Sequence, residues 1–363
     1  MSPMNIWSTK LRLMILGLTL MCSLLFGGWR SLVRAQDLSI ARGGSAHNLS
    51  LSETRERIVF DSSFLAGPRT AAPHWDGGYL ISREIETFSP KTPNVSLYDK
   101  SGRKVREAAI WFEGAQPVLI TDATATSDGR IIASGIAEKT DGTAAPFIVL
   151  TNLAGNVTDV VRTDGFYASN ICVAPDNTVW SFGGTGYDEA KGEANTGDVL
   201  RHFDFQRGQL GAFIPRSTYP RHPMPDERAF IRCSSSQAVV DAAQVREYIE
   251  MDYDSASPRR YRAEVPLNLK FDGFASQGPK RIFGYFADHS KISDPAQGLY
   301  MLSFDEVAKT VTWVPVDGAV GPGTQRGVVR SLWGSDGQDL VVSRAGDPAG
   351  VVAIHWVTPI EHP

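Results

Sequence analysis

The chain has 363 residues, 36 Lys and Arg against 40 Asp and Glu, and 42% apolar residues. That is a globular composition, long enough for one or two cores. Lys10, Arg12, Arg30 and Arg34 all precede position 36, so the remainder carries 32 basic against 40 acidic residues, a net charge of −8. Such a balance gives no electrostatic basis for binding nucleic acid or an anionic membrane.

Residues 1–35 read as a secretory signal peptide. Lys10 and Arg12 make a basic start, Leu13–Phe26 is an uncharged apolar run, and Val33-Arg34-Ala35 precedes Gln36 as a small-residue cleavage pattern. The apolar run spans about 21 Å as a helix, short of the ~30 Å of a bilayer core. The protein is therefore expected outside the cytoplasm, periplasmic or secreted, with no stable membrane insertion after cleavage. The alternative is an uncleaved N-terminal membrane anchor. Residues 36–54 are polar, carry Gly43-Gly44-Ser45, and read as a flexible lead-in.

From there a repeat runs through the chain. A tight turn is followed by two or three apolar residues and then a small or polar one. Its copies are Asp76-Gly77-Gly78 before Tyr79-Leu80-Ile81, Asp128-Gly129-Arg130 before Ile131-Ile132-Ala133, and Asp176-Asn177 before Thr178-Val179-Trp180. Ser236-Gln237 before Ala238-Val239-Val240, Gly278-Pro279-Lys280 before Arg281-Ile282-Phe283, and Asp336-Gly337-Gln338-Asp339 before Leu340-Val341-Val342 continue the series. The spacing, about 52 residues, is near that of four-stranded blade repeats. Each copy extends to a later strand ending in an aromatic-Asp pair, such as Tyr98-Asp99, Phe203-Asp204, Tyr253-Asp254 and Phe304-Asp305, followed by a hairpin and a further strand. The expected fold is all-β, a six-bladed β-propeller of four-stranded antiparallel blades over residues 55–358, with a short tail at 359–363. The last blade lacks a fourth strand, and the isolated strand Glu56–Phe60 is expected to supply it and close the ring.

This turn, strand, loop, Tyr/Phe-Asp, hairpin rhythm resembles the six-bladed propellers of the NHL-repeat and gluconolactonase-like kind. The resemblance is one of architecture. Where NHL repeats carry Asp after the second strand, this chain has Ser82-Arg83, Ser134-Gly135, Ser181-Phe182 and Ser343-Arg344. The resemblance implies a central channel, and for the gluconolactonase-like enzymes a carboxylate–amide metal site within it, but no catalytic residue transfers by motif.

The seven histidines show no HxH, HxxxH or HExxH spacing, and no GxSxG elbow is present. Glu250, Asp252 and Asp254 share one strand face, with Arg259, Arg260 and Arg262 across a hairpin. Cross-strand ion pairing is the expected reading, with a calcium site as the alternative. The connections on one face of the repeat are longer than the turns on the other, so a ligand is expected at the elaborated mouth of the channel. Asp122, Asn170 and Arg330 occupy one repeat position on first strands, where apolar residues are the norm, and Arg232, Lys270 and Asp272 are further members of the set. Cys172 and Cys233 lie at similar depth on neighbouring first strands and are expected to form a disulfide.

The functional expectation is a binding module for a protein, glycan or small molecule, with no cofactor. The alternative is a metal-assisted enzyme, a lactone hydrolase or lyase, with calcium in the channel held by Asp122 and Asn170.

Overall fold

A computed structural model describes residues 48–54, 58–61, 71–163, 165–185, 187–188, 193–194, 197–218, 230–242, 247–255, 257–264, 269–287, 294–322, 324–326, 328–347 and 351–362. The leader read over 1–35 lies outside these residues. The chain opens with β1 (Asn48–Glu53) and β2 (Ile58–Asp61), then β3 (His74–Asp76), β4 (Tyr79–Arg83), β5 (Glu86–Thr87), β6 (Val95–Tyr98) and β7 (Lys104–Ala108). There follow β8 (Ala115–Ala125), β9 (Ile131–Lys139), β10 (Ala144–Thr151), β11 (Val157–Arg162), β12 (Phe166–Val173), β13 (Val179–Thr185), β14 (Tyr187–Asp188), β15 (Glu193–Ala194), β16 (Asp198–Asp204) and β17 (Gly208–Pro215). The remainder is β18 (Phe230–Cys233), β19 (Gln237–Ala242), β20 (Glu247–Asp252), β21 (Arg259–Glu264), β22 (Lys270–Ser276), β23 (Ile282–Ala287), β24 (Gly298–Asp305), β25 (Thr310–Val320), β26 (Val329–Ser335), β27 (Leu340–Arg344) and β28 (Val351–His362).

The fold is all-β, but the expectation of six separate four-stranded blades is not met. Hydrogen bonding gathers the strands into sheets of nine, eight, five, four and two. Antiparallel four-strand meanders persist inside them, as in β8 to β11, yet they are joined sideways. A parallel bridge pairs Gly334 of β26 with Trp75 of β3. β21 and β25 pair in parallel from Arg262↔Thr310 to Glu264↔Thr312, which fuses two meanders into the eight-stranded sheet. The end strands of that sheet, β18 and β22, lie side by side, so it almost closes on itself as a barrel. β5 pairs with β8, which adds the fifth strand there.

The physical reason is that turn chemistry specifies only sequential neighbours, whereas lateral pairing depends on two backbone edges meeting. Gly334 shows this. A Cβ at that position would lie 2.2 Å from the Trp75 carbonyl oxygen, so only glycine permits the approach.

β1 and β2 both pair with β28, from Asn48↔His362 to Glu53↔Val357 and from Ile58↔Ile354 to Asp61↔Val351. β1 lies within the segment read as a lead-in, and β28 runs to His362, into the segment read as a tail. His355 of β28 joins the seam: its Nδ1 is 2.8 Å from Glu53 Oε1 and its Nε2 is 3.2 Å from Asp347 Oδ1. The apolar interior is continuous with these contacts. Leu49 of β1 packs with Phe283, Leu299 and Leu340, while Phe60 of β2 packs with Trp75, Trp333 and Trp356.

β8, β12, β18, β22, β26 and β3 follow one another in space. Charged groups from three of them, β3, β8 and β18, act on one another at the site described next.

Candidate functional site

Most of these strands bury apolar side chains, but four ionisable groups meet among them. His74 lies on β3, Arg83 at the end of β4, Asp122 on β8 and Arg232 on β18.

Asp122 is 7% exposed and its carboxylate is well occupied. Oδ1 accepts the Ala123 N–H at 2.9 Å, and Oδ2 accepts the Ile171 N–H, also at 2.9 Å. The second bond crosses from β8 to β12. Arg83 Nε stands 4.0 Å from Oδ1, and Arg83 Nη1 donates to the Ile120 carbonyl at 2.7 Å. Burial raises the Asp122 carboxyl above its ordinary range, opposed by Arg83, the two N–H donors and Arg232. Burial likewise lowers Arg83, and Asp122 opposes that shift.

Arg232 is 9% exposed. Its Nη1 donates to the carbonyl of its own neighbour Ile231 at 2.8 Å, and its Nε is buried without a hydrogen-bond partner. No carboxylate among the described residues forms an ion pair with it. Its charge nonetheless reaches both Asp122 and His74.

His74 is half-buried, and its pKa falls from 6.5 to about 3. Burial is the largest cause, followed by the Arg232 charge; Asp76 and a hydrogen bond to the Ala123 backbone push the other way. The imidazole is thus neutral at physiological pH. A base whose folded value lies below its unfolded value costs stability as pH falls between the two, because only the unfolded chain takes up the proton. Wild-type protein is expected to lose roughly 1–3 kcal/mol more than His74→Gln between pH 7 and pH 4. Urea unfolding of both proteins at the two pH values checks this, and parallel losses would refute it.

The other sequence-predicted residues fall differently. Asn170 is half-buried on β12, at the register shift between Ala168 and Asn170, and its carbonyl accepts the Ser181 hydroxyl at 3.0 Å. Asp272 and Arg330 are near enough to Tyr285 to act on it. Burial first, then the Asp272 charge, pushes the phenol up to about 12, while Arg330 opposes. Arg330 and Lys270 are exposed. The structure therefore joins Asp122 and Arg232 in one cluster and places Asp272 and Arg330 around Tyr285. His74 and Arg83 are members that sequence reasoning did not select.

A disulfide links Cys172 of β12 to Cys233 of β18, with Cα atoms 5.4 Å apart. It anchors the strand that carries Arg232.

The charged strand pair of β20 and β21, with Glu247 and Glu250 buried, is occupied by its own partners. Arg259 Nε is 3.1 Å from Glu250 Oε2, and Arg259 Nη2 donates to Asp252 Oδ1 at 2.9 Å. Arg260 pairs with Glu247. Arg259 thus takes up two of the three carboxylates of the calcium alternative, Glu250 and Asp252. Among the described residues, no group of three or more His, Cys, Asp or Glu side chains is arranged to hold a metal.

No family model matches the chain, and neither does any curated protein. The resemblance to NHL-repeat and gluconolactonase-like propellers thus has no family signature behind it. Among solved structures, the chain is similar to an auxiliary nutrient binding protein from Bacteroides ovatus, at 10% identity over 87% of this chain and 78% of that one, with a TM-score of 0.45. Among the described residues, no helix is long and apolar enough to cross a membrane.

Proposed function

We propose that this protein is a ligand-binding module of an extracytoplasmic compartment, with its ligand-reading centre at His74, Arg83, Asp122 and Arg232. The observation that carries this reading is Arg232, a buried guanidinium without an ion-pair partner. A charge in such a place costs folding energy, and unpaired buried charges are kept where function uses them. The leader at residues 1–35 and the Cys172–Cys233 disulfide support the compartment, since disulfides persist in oxidising environments.

The reading separates Arg232 from its neighbour. Asp122 clasps β8 to β12 and is expected to be structural as well as electrostatic. Asp122→Asn should lose about 1–3 kcal/mol, because one of two buried N–H donors loses its acceptor. Arg232→Met should be neutral or stabilising by up to about 2 kcal/mol, since the methionine fills similar space without a buried charge. Denaturant unfolding measures both. If Arg232→Met instead costs more than about 2 kcal/mol, Arg232 is a structural member and the reading fails.

A second reading, metal-assisted catalysis at Asp122 and Asn170, has no observation in its favour. Both Asp122 oxygens already accept backbone N–H groups.

A further inference from the structure

Resting on the reading above, the chemistry of the interior narrows the ligand. Arg232 has five N–H donors in a planar fork, and one hydrogen bond, to Ile231, uses them. Arg83 is similar in part: its Nη1 is bound to the Ile120 carbonyl, while its Nε is buried without a hydrogen-bond partner. The acids nearby are otherwise engaged. Asp122 accepts two backbone N–H groups. Asp76, whose charge reaches His74, accepts the Gly77 N–H at 2.9 Å and the Thr124 hydroxyl at 2.6 Å. The imidazole of His74 carries no positive charge to add. What remains is one guanidinium with a single protein hydrogen bond and no carboxylate in ion-pair contact among the described residues.

We propose that Arg232, with Arg83 beside it, grips the carboxylate of a small organic acid. A carboxylate is planar, carries one charge and fits a guanidinium fork through two parallel hydrogen bonds. A phosphate dianion fits less well, because its second charge would face Asp122 and Asp76 without a second unpaired cation to meet it. A metal ion or an ammonium group would meet two guanidinium groups. Phe230 offers the organic part of the ligand an apolar neighbour, since its ring centroid lies 6.0 Å from the Arg232 guanidinium carbon. A bound anion would also favour protonation of His74, so binding below pH 5 should draw a proton from solution.

The test is calorimetric titration of the wild type, Arg232→Lys and Arg232→Met with sodium acetate, sodium L-lactate and disodium succinate at fixed ionic strength. Inorganic phosphate and glucose serve as comparison probes. At least one carboxylate should bind. Its Kd should weaken roughly tenfold or more in Arg232→Lys, which keeps the charge and loses the fork, and about a hundredfold in Arg232→Met. Heats measured at pH 4.5 in two buffers of different ionisation enthalpy give the net proton exchange, which includes protons released by the partly protonated ligand. Net uptake should be greater, or net release smaller, in the wild type than in His74→Gln. Phosphate binding through Arg232 without carboxylate binding would overturn the carboxylate assignment and leave the binding module standing. Glucose binding that is indifferent to Arg232 would overturn both the carboxylate assignment and the placement of the ligand centre at Arg232. If no probe binds and Arg232→Met also lowers stability, both readings fall.

Discussion

A chain lacking residues 48–61 is expected to lose its cooperative unfolding transition or to aggregate. These residues form β1 and β2, which pair with β28 over six and four positions respectively. Leu49 is 2% exposed and Phe60 8%, so each contributes roughly 2–3 kcal/mol of apolar burial. Their removal also bares one edge of a twelve-residue strand, a template for pairing with other copies. The two losses together approach the whole stability of an ordinary domain. Point variants keep the test clear if the truncated chain is insoluble. Leu49→Asn and Phe60→Ser should each lower the unfolding free energy by about 2–4 kcal/mol, whereas Val59→Thr, at a position 49% exposed, should stay within about 0.5 kcal/mol. Equal small effects at all three positions would mean that the β1–β2 seam carries little of the stability.

Breaking the link between Cys172 and Cys233 is the second large effect. The bridge closes a loop with a sequence separation of 61 residues. The chain-entropy relation assigns such a loop about 4 kcal/mol. With an unfolding entropy near 2 cal/mol/K per residue, this corresponds to a Tm lower by roughly 6 °C for a domain of this size. Cys172→Ala with Cys233→Ala should reproduce that shift in scanning calorimetry, and reducing agent should bring the wild type to the same Tm. A shift below 1 °C would show that the interior packing alone holds β12 to β18. Because β18 carries Arg232, the double variant should also weaken any ligand that Arg232 holds.

The strands themselves were legible because their signals are local. The repeat placed apolar strands after turns at 79, 131, 178, 238, 281 and 340, and β4, β9, β13, β19, β23 and β27 begin within one residue of those positions. An Asp-Gly turn states its own conformation: Gly77, Gly129 and Gly337 all take positive φ. How those strands gather into sheets was not legible. The parallel pairing of β21 with β25 and the bridge at Gly334 join segments far apart in sequence, and no turn encodes them. β1 was missed because NLSLSE is short and polar on one face, and it is a strand through its partner β28. The site was half legible for a similar reason. Polar residues on first strands pointed to Asp122 and Arg232. His74 and Arg83 become neighbours of that pair through tertiary convergence, which periodicity does not express.

The seam with β28 also sets an order of assembly. The Thr54 N–H donates to the Trp356 carbonyl at 3.0 Å, and the Thr54 hydroxyl faces the same oxygen across a sequence separation of 302 residues. During synthesis β1 and β2 emerge well before β28. For most of synthesis Leu49 and Phe60 have no partner strand, and the closing contacts carry the highest loop-closure entropy in the chain. The seam can therefore form only once β28 has been synthesised, with a sequence separation of 302 residues between Thr54 and Trp356. Until then its N-terminal strands depend on whatever shields them.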